Sequence, residues 1–189
     1  MAQDTLLHAS AGASFLTRAL AVLGGSAVIA LGAQVSVPMV PVPMSLQTLA
    51  VLLVGLTAGS RLGAAAVLAY LVEGALGLPV FAGGHFGLPY MIGPTGGFLL
   101  GFVAMAFLAG LMAERGVARG FAGIVATGLL ASVVLYVPGI AWLDAVTPLD
   151  LWGALNAGMV PFLPGDAVKI AIAALVVTGA WAALRTRRG

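Results

Sequence analysis

Six stretches of this chain stay apolar for long enough to be read as helices that cross a lipid bilayer, at about 17–37, 45–59, 62–78, 95–113, 121–143 and 167–184. A hydrocarbon core roughly 30 Å thick takes about 20 helical residues, so the second, third and sixth stretches are short for a full crossing. Proline and glycine gather between stretches, at Pro38, Pro41 and Pro43 and again at Pro161, Pro164 and Gly165. Proline lacks an N–H and clashes with the preceding turn, so these clusters mark breaks. A transmembrane barrel would show alternating segments of about ten residues, whereas these runs are continuous. Charge agrees with a lipid environment: 7% of the residues are charged and 61% hydrophobic, against about 25% charged in soluble domains. A soluble enzyme, a disordered chain and a coiled coil are thereby excluded. The expected fold is an all-α membrane protein, one integral membrane domain over residues 1–189.

The arginines orient it. Arg18 stands at the very start of the first stretch, Arg61 lies between the second and third, Arg115 and Arg119 between the fourth and fifth, and Arg185, Arg187 and Arg188 follow the sixth. With six crossings all of them fall on one side, and the opposite loops carry Asp144 and Asp150 but no Arg or Lys. Positive residues mark the cytoplasmic face, so both termini are expected inside a multi-pass protein of the cell (inner) membrane. The first stretch is expected to remain as a helix rather than a cleaved signal peptide. Gly25, Ser26, Ala27 and Ala30 on it have the small-residue spacing that lets helices approach closely in lipid, either within the chain or against a partner subunit.

Much chemistry is missing. There is no cysteine, so no disulfide or thiolate site. The one lysine, Lys169, follows Val168, which excludes a G-x-x-x-x-G-K-[ST] phosphate loop. The histidines are His8 and His85, with no H-E-x-x-H, and there is no G-x-S-x-G nucleophile turn. No basic-aromatic tract suggests nucleic acid. A transporter, channel or binding subunit remains, with no metal and no cofactor expected on this chain.

Ionisable residues inside membrane helices are costly and call for a role. Asp166 and Lys169 stand three apart near the start of the sixth stretch and share a helix face. Asp166 after Pro164-Gly165 could serve as an N-cap. Lys169 in a first turn opposes the helix dipole, so it either snorkels to water or joins Asp166 in holding a ligand. Glu73, late in the third stretch, is read as a structural partner, a protonated group or a ligand contact. Aromatics gather at the end away from the arginines: Phe81, Phe86, Tyr90, Tyr136, Trp142, Trp152 and Phe162. An interfacial belt explains some of these, and an aromatic pocket with few polar anchors explains others. Between Pro79 and Gly97 the loop is glycine-rich around His85. Gly84 there is the type of residue that lets backbone approach a ligand.

Four segments in order carry a family resemblance: Pro41-Val42-Pro43-Met44-Ser45-Leu46-Gln47-Thr48-Leu49, Gly77-Leu78-Pro79-Val80-Phe81-Ala82-Gly83-Gly84, Gly93-Pro94-Thr95-Gly96-Gly97-Phe98-Leu99-Leu100-Gly101-Phe102, and Pro164-Gly165-Asp166-Ala167-Val168-Lys169. The chain resembles the BioY family, biotin-binding S-components of energy-coupling-factor (ECF) transporters. The resemblance implies a six-helix S-component bundle with a high-affinity biotin pocket near the outer face. It implies that Asp166 and Lys169 contact biotin. It also implies partners, a membrane coupling protein and a pair of ABC-type ATPases that use the ATP. The candidate substrate-contacting set is Gln47, Glu73, Phe81, Gly84, His85, Tyr90, Tyr136, Asp166 and Lys169, and the candidate docking set is Gly25, Ser26, Ala27 and Ala30. The expected mode is capture followed by handover. Two other readings stay open: a stand-alone vitamin transporter driven by an ion gradient, with Glu73 as proton carrier, and a membrane-bound hydrolase or transferase. A homo-oligomer also stays open.

Overall fold

The computed structural model describes residues 14–186, with side chains as far as Ala183. His8, Arg187 and Arg188 lie outside the described residues, as does the side chain of Arg185. The described chain is helical almost throughout. Helix α1 spans Phe15–Gln34, α2 Gln47–Ala58, α3 Ser60–Ala75, α4 Leu88–Met91, α5 Gly96–Glu114, α6 Gly120–Val146, α7 Leu151–Gly158 and α8 Leu163–Thr186. A two-stranded antiparallel hairpin, β1 at Ser36–Val37 and β2 at Met44–Ser45, closes the proline loop between α1 and α2. Helices α1, α5 and α6 and the run 151–183 are long and apolar enough to cross a membrane, while α2 and α3 are shorter.

Close helix packing in lipid depends on small residues, and here glycine contacts set the order of the bundle. A Cβ on Gly25 would lie 2.8 Å from the Ala66 side chain, on Gly55 2.6 Å from the Ala106 carbonyl, on Gly101 2.8 Å from the Leu135 carbonyl, and on Gly128 2.8 Å from Ile170. Thus α1 leans on α3, α5 lies between α2 and α6, and α8 packs on α6. The α2–α3 turn is a single residue, Gly59, at φ 88°, a left-handed conformation that glycine adopts at little cost. The next helix is capped from outside: the Glu114 carboxylate at the end of α5 accepts from the Ser60 N–H at 2.7 Å and from its hydroxyl. Helix α5 is buried along most of its length. Helix α1 is buried only at Ser26, Ile29 and Ala33.

Three local features depart from expectation. The last helix begins at Leu163, not near 167, because proline is tolerated in a first turn where its missing N–H has no intrahelical partner. Asp166 is therefore inside the first turn and is not the N-cap. Short helices α4 and α7 occupy stretches read as loop. Helix α7 starts at Asp150, whose carboxylate accepts from the Gly153 N–H at 2.8 Å, an ordinary N-cap. Pro138 sits within α6, removing one rung of its hydrogen-bond ladder.

Candidate functional site

At the end of the bundle away from the arginines, α2, α5, α6 and α8 enclose a cavity of about 50 Å³. Its polar floor comes from the first turn of α2 and the first two turns of α8. Because Asp166 and Lys169 are one turn apart on α8, both point toward α2, where Thr48 stands. The Lys169 ammonium donates to Asp166 Oδ1 at 3.2 Å and to Thr48 Oγ1 at 3.0 Å. Thr48 Oγ1 in turn lies 3.2 Å from Asp166 Oδ1 as donor. From α6, the Tyr136 hydroxyl donates to Asp166 Oδ2. Asp166 and Lys169 are only 5% and 6% exposed, so their charges are sustained by this network. An isolated buried charge would be far too costly. Lys169 has three donors and spends two of them on these partners. Among the described residues this is the one ion pair of a lysine with a carboxylate.

Gln47 joins from the first turn of α2. Its side-chain N–H donates to the Tyr70 hydroxyl at 2.6 Å, and its carbonyl accepts from Ser45 at 3.0 Å. Phe98, Phe102, Tyr90 and Phe162 form apolar walls. Tyr90 belongs to a stack that runs inward from the loop. His85 stacks on Tyr90 at 4.9 Å between centroids, Tyr90 on Phe81 at 5.3 Å, and the Phe81 ring meets Tyr70 edge-on at 5.4 Å. Phe81 fits because Gly74 lies under it: a Cβ there would fall 2.1 Å from the ring. Hydrogen bonds tie the glycine-rich loop down, among them Gln34 to the Phe81 carbonyl at 3.3 Å, the Gly87 N–H to the Gly74 carbonyl at 2.7 Å and the Trp142 indole to the Gly93 carbonyl at 2.9 Å. Burial pushes the Tyr90 hydroxyl above its ordinary pKa, the Thr95 side chain offsetting this in part. Tyr90 thus stays a neutral donor at physiological pH. A second, outer cavity of about 360 Å³ lies under the proline loop and shares Pro43, Tyr90 and Thr95 with the inner one.

The structure therefore brings Gln47, Tyr90, Tyr136, Asp166 and Lys169 to one cavity. It does not bring the other four. Phe81 is fully buried behind Tyr90. His85 lines the outer cavity, with its Nδ1 2.7 Å from the Ala82 carbonyl. Gly84 lines neither cavity. Glu73 accepts a hydrogen bond from the Ser26 hydroxyl on α1 and does not reach the inner cavity. A proton carrier at Glu73 would be separated from any ligand held there. The docking set divides likewise. Ser26 is fully buried and Gly25 faces Ala66 and Val54, because they belong to the stripe, with Ile29 and Ala33, that α1 turns inward. Of the four, Ala27 alone is exposed, while Ala30 packs against the core.

Thr48 and Tyr70 were not expected. Thr48 follows Gln47 in the first matched segment, and a polar pair opening an apolar helix is the signal that marks it. Tyr70 carried no signal beyond being a hydroxyl in an apolar run. Tyr70→Phe is expected to lower stability by about 1 kcal/mol through the lost bond to Gln47, read as a lower thermal unfolding midpoint. An unchanged midpoint would show that the bond contributes nothing.

Comparisons with known proteins follow the same lines. A family model described as the BioY family matches residues 4–186. The chain is 39% identical to the biotin transporter BioY of Thermotoga maritima, covering 80% of this chain and 88% of that protein. It is 40% identical to the biotin transporter BioY of Rhizobium etli, covering 83% and 88%. Its fold matches a crystal structure of the S-component for biotin from an ECF-type ABC transporter, with a TM-score of 0.76, 26% identity and 92% of each chain covered.

Proposed function

The chain belongs to the BioY family, and from that premise we propose that it captures biotin as the substrate-specific subunit of an ECF-type ABC transporter. It is a multi-pass membrane protein with a transport role and not an enzyme. The observation that carries the reading is the buried Asp166–Lys169–Thr48–Tyr136 network on the floor of an aromatic cavity.

Biotin offers matching chemistry: two ureido N–H donors, a ureido carbonyl, an apolar sulfur ring and a carboxylate tail. Asp166 accepts from N–H groups. Lys169 donates to an oxygen. Phe98, Phe102 and Tyr90 cover the apolar ring. Binding is then an exchange, in which bonds among Lys169, Thr48 and Asp166 are traded for bonds to the ligand. The ATP is spent by partner subunits, a membrane coupling protein and ABC-type ATPases, and delivery follows docking on them. The first test is equilibrium binding of a panel of vitamins to the purified chain. Biotin is expected to bind alone and tightly. Equal binding of an unrelated vitamin, or none of biotin, would overturn the reading.

The same reading has six crossings with both termini in the cytoplasm of the inner membrane. In a chain free of native cysteine, Gly84→Cys is expected to react with an impermeant thiol reagent on intact cells, and Gly116→Cys only after lysis. The reverse pattern would invert the topology.

A further inference from the structure

The molecule has a larger hollow, and it is not in the ligand cavity. Between α6 and α8, with α7 across its mouth, lies an apolar groove of about 470 Å³. Leu129, Val133 and Val137 of α6 line one side and are 55%, 59% and 67% exposed, so the groove is continuous with the surface that faces lipid. No charged residue lines it except Asp166 at its inner wall, and Asp166 is already bonded to Tyr136. Along α6 the lining runs from Leu129 to Ala141, roughly 18 Å at the helical rise of 1.5 Å per residue. That is close to the depth of one leaflet of a hydrocarbon core roughly 30 Å thick. An uncharged channel of one-leaflet depth, opening on lipid, fits a single alkyl chain. A transmembrane helix some 10 Å wide would need an open stripe instead, and here α7 roofs the outer end through Leu151 and Leu155.

We propose that this groove binds one acyl chain of an outer-leaflet phospholipid, and that the chain props the wall behind the ligand site. The wall is common to both hollows: Tyr136 and Asp166 line the groove on one side and the inner cavity on the other. An acyl chain packed against the Tyr136 ring holds its hydroxyl on Asp166. It thereby fixes the orientation of the carboxylate that the proposed function assigns to biotin, a reading on which this second clause rests. Lipid and biotin are then positively coupled, and the coupling is reciprocal.

The test uses the whole chain in nanodiscs of dioleoyl phosphatidylglycerol, transferred to detergent. Retained phospholipid is counted by native mass spectrometry without biotin, and biotin affinity is measured before and after delipidation. Ala141→Trp and Ala167→Trp fill the groove from two sides at exposed positions. The wild type is expected to retain one phospholipid that both variants lose. Stripping it is expected to weaken biotin binding by about tenfold, within the usual range of site coupling, with recovery when the lipid is returned. Equal retention in all three proteins would overturn the site, and unchanged affinity on stripping would overturn the coupling. A disulfide-linked dimer of Val133→Cys in the membrane would assign the groove to a second copy and also overturn the proposal. The lipid count needs no biotin, so failure of the biotin assignment would leave it standing and be seen separately.

Discussion

Lys169→Ala is expected to weaken biotin binding by about a hundredfold or more, and Asp166→Asn by a similar factor. The reasoning starts from burial. Both groups are nearly inaccessible, so neither charge is rescued by water when its partner goes. Truncating one partner of a buried, hydrogen-bonded charged contact to a ligand costs roughly 2–5 kcal/mol of binding, and each 1.4 kcal/mol is a factor of about ten in affinity. The variants differ in what they leave behind. Without Lys169, the carboxylate still accepts from Thr48 and from Tyr136, so the fold should hold while a donor for the ligand oxygen is lost. With Asp166→Asn the Lys169 ammonium keeps Thr48 and a neutral amide oxygen but loses its counter-charge, and the acceptor proposed for the ureido N–H groups becomes neutral. Thr48→Val is the graded case, expected to weaken binding by less than either. Equilibrium binding of radiolabelled biotin to the three purified variants measures this. Near-wild-type affinity in both charge variants would remove the site assignment.

The second large effect is on assembly. Gly97→Val is expected to destabilise the protein by about 3 kcal/mol or more, at or beyond the upper end of ordinary overpacking costs. A Cβ at Gly97 would lie 2.3 Å from both the Pro138 carbonyl and the Trp142 Cβ. The first of these is backbone and cannot turn away. Relief requires α5 and α6 to separate, which pulls Trp142 from the Gly93 carbonyl and moves Phe98 and Phe102, two walls of the cavity. The contrast is Gly24→Ala, where a Cβ meets nothing within 4 Å. That substitution in a helix interior is expected to be neutral, or to stabilise by about 0.5–1 kcal/mol. Thermal unfolding of the two variants in the same detergent separates them. Equal midpoints would show that the α5–α6 approach at Gly97 is not close.

Much of the helical layout is legible because the signal is coarse. A run of apolar residues in lipid needs no periodicity, so α1, α5 and α6 begin and end within a few residues of the expected positions. The failures are local. Pro164 and Gly165 read as helix breakers, yet they lie in the first turn of α8. Helix α7 has only eight residues, too few for an apolar run to stand out from a loop. At the site, Asp166 and Lys169 attract notice because charge in an apolar helix is expensive. Their link to biotin came from the resemblance and not from composition. Thr48 could not be paired with them by reading, since it lies 118 positions from Asp166 and only the fold closes that distance. Glu73 drew notice for the same reason as Asp166, but its partner Ser26, 47 positions earlier, is a neutral hydroxyl on a neighbouring helix. Cost alone marks a buried charge without telling glue from ligand contact. The aromatic loop divides in the same way: Tyr90 reaches the cavity, and Phe81 serves as the support beneath it.

The most direct measurement is a structure of the chain with biotin bound. It should show the Asp166 carboxylate within about 3.2 Å of a ureido nitrogen, the ordinary reach of a hydrogen bond, and the Lys169 ammonium turned from Thr48 to a biotin oxygen. Biotin lodged elsewhere, with Lys169, Thr48 and Asp166 still bonded only to one another, would contradict the account.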